Sequence, residues 1–170
     1  MSQSRMDDTI ARVRLHLLRH AHAGDPTEWE GEDELRPLTR KGRRQCERLG
    51  AFLDAHGVRP DVIVSSPKVR AMQTAELVAA TLGMTVRADP RLGAGLGRRE
   101  LWDMLNELGA REPMLVGHDP DLSDLLGHLV DAAGLHLRKG AMATIDVDVD
   151  PAGMAGTLSW LIPPELLAVD

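Results

Sequence analysis

Two histidines of the sequence stand where predicted β-strands end. The strand predicted at residues 13–18 leads into Arg19 and His20, and the strand predicted at residues 114–117 leads into His118. In open α/β sheets, ligands bind beyond the carboxyl ends of the strands. We therefore expect His20 and His118 to converge on one site at this edge of the sheet.

A third predicted strand end adds features that suit an anion. Residues 61–65 are predicted to form a buried strand. Ser66 and Pro67 then begin a helix, with Ser66 as its cap and Arg70 in its first turn. Helix N-termini favour anions because their backbone N–H groups are free and the helix dipole is positive there. Arg19 and Arg70 can bind phosphoryl oxygens as bidentate donors.

These residue types suit phosphoryl transfer to a histidine. A neutral imidazole can attack phosphorus when a hydrogen bond holds its other ring nitrogen. Positive groups then stabilise the charge on the equatorial oxygens. Taken singly, His20, His118 and Arg70 are each more often structural than catalytic. The prediction of a phosphoryl-transfer site, with His20 as nucleophile and His118 as a further donor, therefore rests on the whole set in its order.

The elements that must position these residues alternate between strand and helix. A weak strand is predicted at residues 85–88. Helices are predicted at 39–56, 66–82, 98–108 and 122–130, and a terminal hairpin joins 143–149 to 157–161. This pattern indicates an α/β fold, a three-layer α/β/α sandwich with a mostly parallel sheet to which the hairpin adds an antiparallel strand. We expect one domain over residues 1–170, with residues 1–12 as a poorly ordered N-terminal extension.

The connection at residues 21–38 is long and rich in acidic residues. Loops of this length are usually either functional or disordered. On the helix that follows, Arg40, Arg44 and Arg48 recur at i, i+4 spacing. This spacing favours a solvated face, with some pairing to the acidic loop, over a ligand-binding patch. Cys46 lies at helical spacing from other apolar residues of the same helix, which favours a buried thiol.

Composition argues against several classes of function. The chain has 170 residues, a net charge of −6, three Trp, one Phe and no Tyr. It therefore has neither a global positive field nor the aromatic side chains on which bases stack, and we expect no nucleic-acid partner. The sequence shows no secretory signal and no apolar run that could cross a bilayer, so we expect a cytoplasmic protein without a membrane partner. A single cysteine rules out an internal disulfide and a multi-cysteine zinc site.

Several segments, taken in order, resemble the histidine phosphatase superfamily and, within it, the SixA-like phosphohistidine phosphatases. Residues 17–24 (LLRHAHAG) look like the family's Arg-His motif, and 116–120 (VGHDP) look like its second histidine motif. Residues 36–42 (RPLTRKG) and 65–74 (SSPKVRAMQT) are similar to two further family segments, and residues 158–164 resemble the SixA-like ending. The likeness covers nearly the whole chain.

The resemblance implies a phosphatase that forms a covalent phosphohistidine on His20 and needs no metal or other cofactor. It implies that Arg19, Arg70 and His118 complete the phosphate pocket and that Arg36 adds a substrate contact. It also implies phosphohistidine in a protein as the substrate. Small phosphorylated molecules, such as nucleotides or sugar phosphates, stay open as an alternative with the same mechanism.

One loop departs from the family pattern. Many relatives carry an acidic residue after the third strand, where it protonates the leaving group, whereas residues 91–97 (RLGAGLG) contain no carboxylate. Asp25, Glu28 and Asp119 are only weak substitutes as general acids. Asp119 is better interpreted as the N-cap of the helix at residues 122–130.

Two further hypotheses belong to other classes of protein. A metal-dependent hydrolase could use His20, His22, Asp25 and His118, but the spacing of the first two matches no His-Glu-x-x-His zinc helix. An inactive phosphate- or partner-binding module is disfavoured because both histidines and both arginines of the set are present.

Overall fold

The computed structural model describes residues 11–168, within which six strands form one sheet. The strands are β1 (Ala11–Arg19), β2 (Val62–Ser65), β3 (Val86–Ala88), β4 (Pro113–Gly117), β5 (Met142–Asp150) and β6 (Gly153–Ile162). Their order in the sheet is β3-β2-β4-β1-β5-β6. The first four strands run parallel to one another, and β5 pairs antiparallel with both β1 and β6. The predicted mostly parallel sheet with a C-terminal hairpin is confirmed.

Helices cover both faces of this sheet. The described α-helices are α1 (Arg40–Ala55), α2 (Val69–Leu82), α3 (Arg98–Leu108) and α4 (Asp121–Val130). Side chains alternate across β1 because successive residues of a strand point to opposite faces. Leu15 and Leu17 therefore join a core with α3 and α4, whereas Leu18 joins a core with α1 and α2. These two cores make the predicted three-layer sandwich.

The helix after the long loop forms as the sequence predicts. The Thr39 side chain accepts a hydrogen bond from the Gly42 N–H, which makes Thr39 the N-cap of α1. His56 is its C-cap, and Gly57 follows with a φ of +67°, a conformation that glycine adopts at little cost. Cys46 is buried in the α1 core, as predicted.

Two predicted boundaries are wrong. The N-cap of α2 is Lys68, so the helix begins at Val69 and not at Ser66. The Ser66 N–H donates to the Val116 carbonyl of β4, so Ser66 continues the pairing of β2 with β4 by one hydrogen bond. The predicted N-terminal extension also overlaps β1, which begins at Ala11, while residues 1–10 lie outside the described residues. No helix in the described part of the chain is long and apolar enough to span a membrane.

Candidate active site

The sheet brings the two predicted site histidines together. β1 and β4 are neighbours whose register pairs Arg19 with Gly117, so His20 and His118 are the next residues along the two strands. The His20 N–H donates to the Gly117 carbonyl at 3.0 Å, which extends the ladder by one bond. The two imidazole rings lie 5.2 Å apart between centroids. Adjacent parallel strands thus create the predicted convergence.

His20 is buried in the form that a nucleophile requires. Its ring Nδ1 lies 2.8 Å from the carbonyl oxygen of Ala21. Because a carbonyl can only accept, Nδ1 carries the proton and the lone pair resides on Nε2. Burial lowers the pKa of His20 to about 3, and the nearby His118, Arg70 and Arg19 add to this effect. The imidazole is therefore neutral at physiological pH.

His118 is also neutral and is held by a hydroxyl. Its Nε2 and the Ser66 Oγ are 2.8 Å apart. Burial lowers the pKa of His118 to about 4, with further lowering by the charges of Arg70 and Lys68. The Ser66 hydroxyl also accepts from the Lys68 N–H at 3.2 Å, so it connects His118 to the N-cap residue of α2.

The guanidinium groups of Arg19 and Arg70 at the site share an unusual feature. Arg19 donates to the Leu137 carbonyl at 2.8 Å and to the Asp119 carboxylate at 3.2 Å. Arg70 donates to the carbonyl of Asp33 at 2.7 Å and to its carboxylate at 2.9 Å. In both arginines, Nε is buried and has no hydrogen-bond partner among the described residues. A buried donor without a partner is costly, so these two Nε–H groups mark a place prepared for an oxyanion.

Arg36, the fifth predicted site residue, lies just behind this arrangement. It is buried, and its Nε donates to the Asp33 carboxylate at 2.9 Å, opposite the oxygen that binds Arg70. Its other guanidinium contacts are the carbonyls of Ala23 and Gly24. Arg36 thus connects the loop after β1 to Arg70 through the single carboxylate of Asp33.

The site opens into a cavity of about 240 Å³ at the carboxyl edge of the sheet. Its walls come from the ends of β1 and β4, the start of α2, the glycine-rich loop at residues 91–97 and the start of α4. The lining residues are His20, Lys68, Arg70, Gly93, Ala94, Gly95, His118, Asp119, Pro120 and Asp121. The loop wall carries no carboxylate, as the sequence indicates, but the α4 wall carries two. Sequence reasoning missed Lys68 and Asp121, whose place at the cavity depends on neighbouring loops rather than on a strand end.

Asp119 has a different role from the predicted helix cap. The N-cap of α4 is Pro120, which has no side-chain cap hydrogen bond. The Asp119 carboxylate accepts from the N–H and hydroxyl of Ser123, and it also pairs with Arg19 and His136. Only the contact with the Ser123 N–H belongs to helix capping. The other contacts hold the Arg19 guanidinium in place.

The four residues of the metal hypothesis do not form a ligand cluster. His22 directs Nδ1 to the Thr39 hydroxyl at 2.8 Å, and the exposed Asp25 accepts from the N–H and hydroxyl of Thr27. Within residues 11–168, no group of three or more His, Cys, Asp or Glu side chains is arranged to hold a metal ion. The hypothesis therefore has no support from the geometry.

The loop after His20 is fixed against the first turn of α1. The His22 carbonyl accepts from the Thr39 N–H at 3.0 Å, and the His22 N–H donates to Gln45. A Cβ placed on Gly42 would lie 2.1 Å from the His22 carbonyl oxygen, so only glycine permits this close approach. The helix thereby positions the backbone next to His20.

Comparison with known proteins places this geometry in a family. Residues 15–100 match the family model described as "Histidine phosphatase superfamily (branch 1)". An uncharacterized protein of Picosynechococcus sp. is 32% identical over 172 residues, covering 89% of this chain and 100% of that protein. Phosphohistidine phosphatase SixA of Escherichia coli is 27% identical over 158 residues, which cover 89% of this chain and 94% of that protein. A solved structure of the protein histidine phosphatase SixA complexed with tungstate matches with a TM-score of 0.78 at 25% identity, covering 92% of this chain and 100% of that one.

Proposed function

This chain belongs to the histidine phosphatase superfamily, and we propose that it removes the phosphoryl group from phosphohistidine in proteins through a covalent intermediate on His20. One observation carries the proposal. A neutral imidazole with its lone pair on Nε2 lies in the same site as two buried guanidinium Nε–H groups that have no partner in the described chain. The imidazole is a nucleophile for phosphorus, and the two guanidinium N–H groups are donors for the phosphoryl oxygens.

The first step transfers the phosphoryl group to the enzyme. The lone pair of His20 Nε2 forms a bond to phosphorus, and the bond from phosphorus to the leaving group breaks with its electron pair. Arg19, Arg70 and His118 stabilise the charge on the equatorial oxygens. The imidazole becomes positive, and the Ala21 carbonyl that accepts from Nδ1 stabilises this charge.

The second step returns the enzyme to its starting state. A water oxygen bonds to phosphorus, the phosphorus–Nε2 bond breaks, and its electron pair returns to His20. The proton of the water passes to the departing phosphate or to solvent. Arg36 is a positioning residue in this scheme, because its contacts reach Arg70 through Asp33.

The size of the cavity supports a protein substrate. Its volume of about 240 Å³ is below the roughly 300–1,000 Å³ of pockets that enclose a drug-sized ligand. It accommodates a phosphoryl group and the adjoining ring, and it leaves the rest of the substrate outside. The Escherichia coli relative is a phosphohistidine phosphatase, which supports the same substrate class.

The proposal is tested with a phosphohistidine peptide, a nucleotide and a sugar phosphate as substrates. We expect wild-type protein to prefer the peptide, with acid-labile phosphate trapped on His20, and His20→Ala to lose turnover while keeping its fold. His56→Ala is the matched control, because His56 is an exposed histidine at the end of α1. Turnover by His20→Ala at the wild-type rate would end the covalent mechanism, and preference for the nucleotide or sugar phosphate would end the substrate assignment.

The same assays test the need for a metal. The positive groups around the phosphoryl position are guanidinium groups, so we propose that activity is unchanged in EDTA. Loss of activity in EDTA that added divalent metal restores would contradict this part of the proposal.

A further inference from the structure

The cavity presents one carboxylate that the phosphoryl chemistry above does not use. We propose that Asp121 recognises the leaving imidazole of the phosphohistidine substrate by accepting a hydrogen bond from the ring nitrogen that does not carry phosphorus. This inference rests on the proposed function and deepens it, because it names the group that would select a phosphoramidate over a phosphate ester.

Asp121 is held at the rim of the cavity in a fixed position. It is the first residue of α4, and it lines the same cavity as His20 and His118. Its Oδ2 accepts from the Leu96 N–H at 3.0 Å, which binds the carboxylate to the neighbouring glycine-rich loop. The loop and the helix together thus fix the carboxylate at the rim of the cavity.

The second oxygen of Asp121 is available to a ligand. Within residues 11–168, Oδ1 has no hydrogen-bond partner and the carboxylate has no ion pair. The other carboxylate of the cavity differs, since Asp119 already accepts from Arg19 and Ser123 and pairs with His136. Asp121 is therefore the cavity carboxylate whose Oδ1 can accept a hydrogen bond from a ligand.

The leaving group of phosphohistidine is an imidazole ring, which can donate a hydrogen bond to a carboxylate. A phosphohistidine ring carries phosphorus on one nitrogen and, when protonated, a hydrogen on the other. A carboxylate that accepts from this N–H favours the protonated ring. When His20 Nε2 attacks, the phosphorus–nitrogen bond of the substrate breaks and its electron pair goes to the ring. The ring then leaves as neutral imidazole rather than as an imidazolate anion.

A phosphate ester gains nothing from the same carboxylate. Its leaving group is an oxygen without an N–H, so it has no donor to offer to Asp121. The negative charge of the carboxylate also opposes the charge that develops on a leaving oxygen. The effect of Asp121 is therefore expected on phosphoramidates alone.

Asp121→Asn tests the inference because it keeps the size of the side chain and an acceptor for the Leu96 N–H but removes the charge. We expect kcat/KM for a phosphohistidine peptide to fall by about 10- to 100-fold, the usual effect of a lost hydrogen bond to a charged group. We expect kcat/KM for p-nitrophenyl phosphate to be unchanged. The peptide activity of the variant is also expected to decline more steeply than that of the wild type as the pH rises, because the ring loses its proton more easily.

Asp124→Asn is the matched control, since Asp124 is an exposed aspartate in the same helix that does not line the cavity. It is expected to change neither activity. Should Asp121→Asn fail to fold, Asp121→Ser retains an acceptor for Leu96 and is expected to show the same split between substrates.

Each remaining outcome overturns the inference. Equal losses on both substrates would assign Asp121 a structural role, and an unchanged rate on the peptide would show that the ring is not recognised there. A wild-type protein that cleaves p-nitrophenyl phosphate but not the peptide would overturn the proposed function as well. The wild-type assay thus separates failure of the inference from failure of the proposed function.

Discussion

Arg70 and Arg48 are both helix arginines, but their surroundings differ. Arg70 is 5% exposed, and its Nε lacks a partner in the described chain, whereas Arg48 lies on the stripe with the exposed Arg40 and Arg44. Among the residues that the structure describes, this stripe forms no ion pair, so the expected pairing with the acidic loop is not seen. The acidic loop instead contributes Asp33 to Arg70.

We predict that Arg70→Ala lowers kcat/KM by about 10²–10³-fold, the usual effect of removing a donor to a developing oxyanion. Arg48→Ala is expected to leave kcat/KM unchanged, because the side chain touches neither the cavity nor Asp33. Steady-state kinetics on one substrate measures kcat/KM for both variants and the wild type. Similar losses in the two variants would show that the phosphate is bound elsewhere.

His20 also makes the stability of the fold depend on pH. In the unfolded chain a histidine titrates near its usual pKa of about 6.5, whereas in the folded protein burial lowers the pKa of His20 to about 3. Below about pH 6.5 the unfolded state therefore binds a proton that the folded state does not. The neutral, buried His20 therefore contributes fully to the unfolding free energy above this pH. That contribution is lost progressively as the pH falls toward the pKa of His20 in the folded protein.

The unfolding free energy of the wild type should fall between about pH 7.5 and pH 5. We predict that in His20→Asn this fall is smaller by up to about 2 kcal/mol. Urea unfolding of the two proteins at both pH values measures this difference. Burial also lowers the pKa of the buried His16 and the half-buried His118, so only the difference between variant and wild type reports on His20. An identical pH dependence would mean that folding does not lower the pKa of His20.

At the scale of elements, α1 and the loop after β1 act as one unit. The backbone of His22 is bonded to Thr39 and Gln45, and Gly42 admits the His22 carbonyl where a Cβ would lie 2.1 Å from it. We predict that Gly42→Ala destabilises the protein by about 1–3 kcal/mol, the usual cost of forced overpacking, and lowers kcat by displacing the His20 loop. Arg43→Ala, an exposed change in the same turn, is the control.

Thermal unfolding and kinetics of the two α1 variants check this prediction. If Gly42→Ala were as stable and as active as Arg43→Ala, the loop would not depend on the close approach of α1. A loss of stability without a loss of kcat would show that the helix supports the fold but does not position His20.

The elements also show which parts of the site can be predicted from the sequence. His20 and His118 were predicted because each follows a strand, and parallel neighbours bring strand ends together whatever the loops do. The predicted start of α2 at Ser66 is wrong because the helix begins at Val69, and the contact between Ser66 and His118, which are 52 residues apart, leaves no pattern in the local sequence. Asp33, Lys68 and Asp121 reach the site through loop folding, for which periodicity and capping patterns carry no signal.

At the scale of the whole molecule, charge is distributed unevenly. The chain has a net charge of −6, yet its site gathers Arg19, Arg70 and Lys68 within or beside one small cavity. Burial and these cations keep both histidines neutral, so attraction of an anion falls to groups that stay charged. The protein as a whole thus repels polyanions while one edge of its sheet attracts a phosphoryl group.

The same edge determines which substrates the molecule can cleave. The glycine-rich wall has no carboxylate, the Asp119 oxygens accept from Arg19 and Ser123, and the Asp121 carboxylate accepts from the Leu96 N–H. Asp25 and Glu28 do not line the cavity. No carboxyl group of the described cavity is therefore placed to protonate a leaving alkoxide.

We predict a steep dependence of rate on the leaving group, with phosphoramidates, anhydrides and aryl phosphates cleaved far faster than alkyl phosphates. An alkoxide is a very strong base and needs a proton as its bond breaks, and general-acid help is typically worth about 10²–10⁴-fold. A phenolate or a nucleoside phosphate departs without that help. The logarithm of the rate for a series of aryl and alkyl phosphates should fall steeply as the pKa of the leaving group rises. If sugar phosphates were cleaved as fast as aryl phosphates, an acid must act in the complex, and Asp119→Asn would be the first variant to identify it.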